Sequence, residues 1–487
     1  MRLVSLTAQD FRCFEDFTIR FSETHQVHVI LAENMAGKSA LIRALRIAAH
    51  TYVSGLVSHP SLGIELQDHR VIGDNPVANI ARSVSIETEA VLTGADGGEQ
   101  RAQWKKYKEN PVKERTKTRY HNGSARPGTI AKAVYDEVLQ GRQVLPLFNF
   151  IGTEYIHTPA SETDAFTVEG NAVQGYWDWF SDKSTQKFLF NWLSRIDGIL
   201  AESARKPTVA EAYGSLPADA MRVFQQAVTA VLPDIRTIEW LEDQQEPVVK
   251  LANGDVRLFS MLSDGYRYLI LLAGELATRA ILLNKHLGQL VLGQVPGIVL
   301  IDEFGIHLHP SLQNDALRRL SAAFPRVQFI ISTHSPLLVN GLAREQIHLL
   351  EMDAAGKRSV RNPEEDAIGL GAEGILRHMF GLASTLDRQT LAWREEYATL
   401  FRKKASAPLG KPELERFEFL RRQLEPLWLE PRMTPQEDDA ITSLVREKLQ
   451  ARSTARSLPQ SGVAALSQEA VSRQVDQILD DLFAPQS

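Results

Sequence analysis

At 487 residues the chain is too long for one ordinary domain and can bury a large core. A composition of 44% hydrophobic and 23% charged residues is that of a soluble globular protein, and a net charge of −6 excludes a globally basic surface, so any basic patch must be local. The single cysteine, Cys13, excludes an internal disulfide framework and a multi-cysteine zinc site, and it fits a reducing cytosol.

Residues 3–8 and 17–21 alternate as strands, and 27–31 is an apolar run of the buried-strand kind. The start turns polar at Gln9 and Asp10, so no secretory segment is expected there. Helical spacing of Leu41, Ile42, Leu45, Ile47 and Ala48 predicts a helix over 39–49. Residues 52–80 carry Gly and Pro punctuation and read as loop. Strands at 84–92 and 100–108 flank Thr93-Gly94-Ala95-Asp96-Gly97-Gly98, which predicts a hairpin. A short helix at 130–139 and an apolar strand at 145–151 follow.

Residues 160–240 read as mostly helical, with Tyr176, Trp177, Trp179, Phe180, Phe188, Phe190 and Trp192 as packing anchors. Helix and strand alternate over 260–350, as in a parallel sheet. From about 362 the chain is helical and charged, broken at Pro408, Pro412, Pro426, Pro431 and Pro459. The longest apolar runs, near 268–273 and 289–292, are too short to cross a bilayer. There is no internal repeat, and a cytoplasmic location is expected.

Four short motifs stand out. Ala32-Glu33-Asn34-Met35-Ala36-Gly37-Lys38-Ser39 lies between a strand and a helix, the context of a phosphate loop. There Gly37 permits a tight approach, Lys38 would reach the β- and γ-phosphates, and Ser39 would hold Mg²⁺. Such a loop carries Gly where this chain has Ala32. The strand 298–301 ends in Asp302-Glu303, at the edge where α/β ligands bind. Asp302 would serve Mg²⁺ and Glu303 would polarise the attacking water. The strand 329–332 ends in Thr333-His334, which would place His334 beside the γ-phosphate. Leu262-Ser263-Asp264-Gly265-Tyr266-Arg267 precedes a helix over 268–282, and Ser263 with that helix end could bind a second phosphate. Each motif alone also reads as an ordinary loop or cap; their order points to ATP.

Together these residues resemble the ABC-type ATPases of the SMC, RecF and OLD group. The signature reads LSDGYR, the Walker B strand IVLIDE and the switch STHSP. Phe11-Arg12-Cys13-Phe14 resembles the group's N-terminal segment, and Gly305-Ile306-His307-Leu308-His309-Pro310 matches a compact prokaryotic subgroup. Residues 175–179 (GYWDW) and 374–382 (GILRHMFGL) are similar to the PtuA-like ATPases of Septu and retron anti-phage systems. The resemblance covers roughly 1–50 and 145–385. Relatives often carry Gly where Met35 stands, and a Cβ at 32 or 35 would narrow the loop or disfavour a positive φ, which puts fast hydrolysis in question.

The resemblance implies an α/β fold: a P-loop ABC-type head with a mixed sheet over 1–385, and a helical C-terminal region over 386–487 for partner docking or oligomerisation. A basic hairpin insertion at about 84–126 and a helical insertion at about 160–240 would interrupt the head. ATP and Mg²⁺ would be the ligands. Asn34, Gly37, Lys38, Ser39 and Ala40 would bind nucleotide in one copy, and Ser263 and Gly265 in a head-to-tail partner; Ser39 and Asp302 would hold the metal; Glu303 and His334 would be catalytic.

OLD proteins add a nuclease with an Asp-x-Asp pair. Here Glu364-Glu365-Asp366 and Glu437-Asp438-Asp439 lie in helical segments and read as solvated faces, so a nuclease is expected as a separate chain. Lys105, Lys106, Lys108, Arg115 and Lys117, interleaved with Trp104, Tyr107 and Tyr120, make a DNA or RNA candidate, or else a solvated edge. The expected function is an ATPase subunit of an anti-phage complex; a RecF-like DNA repair clamp and a scaffold with little hydrolysis remain alternatives.

Overall fold

The computed structural model describes residues 1–33, 35–57, 62–73, 80–109, 115–121, 124–153, 155, 171–181, 186–382, 384–406 and 408–424. The chain divides into two compact units, Met1–Thr385 and Leu386–Ser487.

The first unit opens with strands β1 (Arg2–Phe11), β2 (Phe14–Arg20) and β3 (Val27–Ala32), then helix α1 (Lys38–Val53). Next come β4 (Val84–Thr93), β5 (Glu99–Lys108), β6 (Lys117–Tyr120), α2 (Pro127–Leu139) and β7 (Leu147–Ile151). Helices α3 (Gln186–Ser203), α4 (Pro207–Tyr213) and α5 (Leu216–Val231) lead to a meander of β8 (Ile235–Leu241), β9 (Glu246–Leu251) and β10 (Val256–Leu258). Helix α6 (Asp264–Leu283) and the short α7 (Val291–Gln294) precede β11 (Gly297–Ile301), α8 (Pro310–Ala323) and β12 (Val327–Ser332). The unit closes with β13 (Ile347–Met352), β14 (Arg358–Arg361) and α9 (Ala372–His378).

A six-stranded sheet has the order β14-β13-β3-β12-β11-β7. From β13 to β7 the strands are parallel, and β14 pairs antiparallel at the edge. Every residue of β3, β7, β11 and β12 is buried. Strands covered on both faces need continuous apolar sequence, which is why VHVILA, LFNFI, GIVLI and VQFIIS carry so little alternation. β12 separates β3 from β11, so the ends of all three meet at one sheet edge.

A second, antiparallel sheet has the order β2-β1-β4-β5-β6. The hairpin expected as an insertion pairs with the N-terminal strands. β4 pairs along β1 from Arg2↔Val91 to Gln9↔Ser85, while β5 pairs on its other side. The segment expected to be mostly helical also contains strand at β8, where Ile235, Ile238 and Trp240 are buried. The β8–β10 meander forms a third sheet.

In the second unit α10 (Arg388–Ser406) and α11 (Lys411–Leu424) form an antiparallel hairpin. The rings of Tyr397 and Phe417 stack at 4.8 Å, and Arg416 pairs with Glu396 at 2.6 Å. Among the described residues, no helix is long and apolar enough to cross a membrane.

Candidate active site

Gly37 caps α1 with φ 113°, and no side chain caps that helix end. An added Cβ would lie 2.7 Å from Cys13 Sγ and 3.0 Å from Phe14 Cζ, so the β1–β2 turn forms a floor that only glycine clears. The first turn of α1 thus offers free backbone N–H groups, the donors a phosphate needs. Met35 also has a positive φ, 68°, and is 86% exposed. Ser39 is exposed on that first turn and forms no hydrogen bond with any described residue; Ala40 is buried. Asn34 lies outside the described residues.

Lys38 points under the loop to the ends of the neighbouring strands. Its Nζ lies 2.6 Å from Glu303 Oε1 and also contacts His334 Nε2. His334 Nε2 is 3.3 Å from the same carboxylate oxygen. Lys38 is buried, whereas His334 is nearly half exposed at the outer side of the cluster.

Ser332 ties the two strand ends together. Its hydroxyl donates to Asp302 Oδ1 at 2.5 Å and accepts from the Glu303 amide at 2.8 Å. Asp302 donates its amide to the Ile151 carbonyl of β7, and Phe304 donates to the Ser332 carbonyl. Thr333 Oγ1 donates to the Phe304 carbonyl at 2.7 Å. This lacing holds Glu303 at φ 56°, a conformation a non-glycine residue keeps only when its surroundings impose it.

Burial pushes the Asp302 carboxyl above its usual range, the Ser332 hydroxyl pulls it back, and the nearby Glu303 adds to the rise. A desolvated carboxylate at a strand end suits a divalent cation completed by phosphate oxygens and water. Among the described residues no set of three or more His, Cys, Asp or Glu could hold a metal alone.

Ser263 is the N-cap of α6 and makes no side-chain capping bond. Gly265 packs so closely on the segment after Glu303 that a Cβ would sit 2.9 Å from the His307 carbonyl oxygen. Tyr268, one turn on, lies 6.1 Å from Phe304 and 6.0 Å from His307, ring to ring. The fold thus brings Lys38, Asp302, Glu303 and His334 together, while no described hydrogen bond or ion pair joins Ser263 or Gly265 to them.

Two further features had no role in the motif reading. Ser332, the first residue of the switch STHSP, is one. The other is a buried network in which Arg279 Nε donates to Glu275 Oε1 at 2.8 Å, and Tyr155 Oη donates to Glu275 Oε2 at 2.5 Å. Arg279 also donates to the carbonyls of Gly175 and Trp177. It fastens the helix behind the signature to the segments that follow β7. Its sequence signal is an i,i+4 acid–base pair inside an otherwise apolar helix.

The basic segment needs correcting. Lys106 and Lys108 are buried, because they share the inward face of β5 with Ala102 and Trp104. Lys106 makes no ion pair with a described residue, and burial lowers its pKa to about 8. Arg115, Lys117 and Arg119 are exposed and Lys105 is partly so. A pocket of about 480 Å³ on the outer face mixes Lys105, Arg119 and Tyr107 with Asp10, Glu15, Asp16 and Glu109, so that face is not uniformly basic.

Lys38 at the start of α1, the Asp302-Glu303 pair and His334 meet at one parallel-sheet edge, the arrangement expected of a P-loop ATPase. Two family models match, "AAA domain" over residues 5–186 and "AAA domain, putative AbiEii toxin, Type IV TA system" over 178–340. The chain is similar, over parts of its length or at low identity, to retron and Septu ATPases. It is 32% identical over 186 residues to "Retron Vc95 probable ATPase" of Vibrio cholerae serotype O1 biovar El Tor, covering 37% of this chain and 35% of that one. It is 21% identical over 480 residues to "Retron Ec83 probable ATPase" of Escherichia coli, covering 84% of each. It is 29% identical over 206 residues to "Septu protein PtuA" of Bacillus mycoides (strain KBAB4), covering 42% of this chain and 28% of that one. The matched region thus spans about a third of the Vibrio relative. Among solved structures, the SMC head domain from Thermotoga maritima aligns with TM-score 0.42 at 16% identity, covering 75% of this chain and all of that one.

Proposed function

We propose that this chain binds and hydrolyses ATP as the cytoplasmic ATPase subunit of an anti-phage defence complex. The supporting observation is the convergence of Lys38, Glu303, His334 and the Ser332-braced Asp302 at the end of the phosphate-loop strand. Lys38 and the α1 N-terminus would hold the phosphates. Ser39 and Asp302 would hold Mg²⁺, which neutralises phosphate charge when bound. Glu303 would take the proton of the attacking water, and His334 would report on the γ-phosphate.

No described hydrogen bond or ion pair joins Ser263 or Gly265 to this cluster, which is compatible with a head-to-tail pair in which they serve the second copy's ATP. The ATP-held state of the pair would control a separate effector nuclease, with residues 386–487 as its docking region. A glutamine at 303 keeps the shape and removes the base. Glu303→Gln should therefore double in mass on adding ATP, read by light scattering. A mass that stays constant at saturating ATP counts against the pairing.

A second reading is a nucleotide-held scaffold with little turnover. It is favoured by Met35 in a left-handed conformation where relatives often carry Gly. Tight ATP binding without phosphate release distinguishes it.

A further inference from the structure

The inward face of β5 carries two ammonium groups with no role at the ATP site. Lys106 and Lys108 are 6% and 9% exposed, and no described hydrogen bond or ion pair engages either one. Glu109, next in the chain, pairs with Lys117, and Asp68, beside His69, is held by Arg12 and Arg43. Burial lowers the His69 pKa, its bond to the Ala81 carbonyl raises it, and the Lys108 charge lowers it again, so Lys108 and His69 are neighbours.

Two neutral donors on the same face are also unmatched. Thr88 and Trp104 sit directly opposite each other on β4 and β5, both buried, and neither Thr88 Oγ1 nor Trp104 Nε1 has a hydrogen-bond partner. The face thus presents donors and cations without an acceptor, an arrangement that costs stability unless something supplies one. Two like charges on one buried strand face also repel each other. An anion would answer both deficits. Strand alternation sets the Cα atoms of Lys106 and Lys108 about 7 Å apart on one side, and their flexible four-carbon stems let both ammonium groups reach a single tetrahedral anion.

We propose that Lys106 and Lys108 bind the phosphate group of a small ligand on the inward face of the antiparallel sheet. The site does not depend on the ATP reading, since no described hydrogen bond or ion pair joins either lysine to Lys38, Glu303 or His334. Side chains this buried cannot line up along a polynucleotide backbone, so the ligand is small. Binding would recover the stability that an unpaired buried ammonium costs the empty chain.

The test is isothermal titration of inorganic phosphate into the nucleotide-free chain. Lys38→Ala removes binding at the phosphate loop, and a phosphate should still bind. Added to that background, Lys106→Met and Lys108→Met should each weaken binding about tenfold or more, the scale of a charge-assisted hydrogen bond. Lys106→Arg, which keeps the charge, should lose less than Lys106→Met. Lys105→Met, one residue away on the outward face, should leave phosphate binding unchanged. Urea melts guard against a folding artefact: phosphate should raise the midpoint of the Lys38→Ala chain, and the rise should vanish when Lys106→Met is added. Glycerol phosphate should compete with inorganic phosphate. Phosphate binding that is absent from Lys38→Ala, or equally strong with and without Lys106→Met, overturns the site, as does an equal loss in Lys105→Met. An oligonucleotide that displaces phosphate as well as glycerol phosphate does overturns the small-ligand assignment.

Discussion

Lys38 Nζ and Glu303 Oε1 lie 2.6 Å apart, joining the phosphate loop to the Walker B strand across β12. On the proposed function, the acid would sit where a γ-phosphate and its attacking water meet. Glu303→Gln should lower ATP turnover by about 100-fold or more, the range expected for loss of a general base, while keeping ATP binding. Phosphate release and fluorescent-ATP titration measure the two separately.

Ser332 should matter nearly as much. Ser332→Ala removes both the donor to Asp302 and the acceptor for the Glu303 amide, at a cost of about 1–3 kcal/mol to folding. Turnover should fall about tenfold or more. The hydroxyl holds the Asp302 pKa down against burial, so its loss raises that pKa further. The acid limb of the pH–rate profile should then move to higher pH; an unmoved limb would show that Asp302 ionisation does not govern it.

Lys106 is a site where truncation should stabilise. Its folded pKa of about 8 lies below the ordinary 10.5, so the unfolded chain binds more protons between those values. The penalty is complete below pH 8 and fades as pH rises toward 10.5, and stability should climb across that window. Lys106→Met should add about 1–3 kcal/mol at pH 7 and flatten the climb. Urea melts at pH 7 and pH 10 test both statements.

The Glu275–Arg279 pair should show the asymmetry of buried charges. Arg279→Met leaves the Glu275 carboxylate without its cation and should cost about 3–5 kcal/mol, whereas Glu275→Leu with Arg279→Met should recover much of that. Equal losses in the single and double variants would mean that packing, not charge, sets the cost.

Any nucleic acid bound by the antiparallel sheet must use its outer face. Lys105→Glu with Arg119→Glu should lower DNA or RNA affinity about tenfold and reduce the log–log salt slope by about 2. Binding that is unchanged in filter assays at two salt concentrations removes this face from the account.

The buried strands were the most legible part of the sequence. β3, β11 and β12 are apolar on both faces, so their ends, and with them Lys38, Asp302, Glu303 and His334, could be placed from pattern and motif. The β4–β5 hairpin was equally clear, but its place in a sheet with β1 was not, because that pairing joins distant segments. The facing of Lys106 and Lys108 follows from Ala102 and Trp104, four and two residues before Lys106, yet a run of lysines reads first as surface. β8 was hidden by its short alternation beside long helices. Glu275 and Arg279 satisfy each other in the interior, which composition alone does not reveal.

The most direct measurement is ATP binding and turnover by the intact chain beside Lys38→Ala and Glu303→Gln. The account predicts turnover in the parent, loss of binding and turnover in Lys38→Ala, and binding without turnover in Glu303→Gln. Turnover that survives in Glu303→Gln at the parent's rate would contradict the site assigned here.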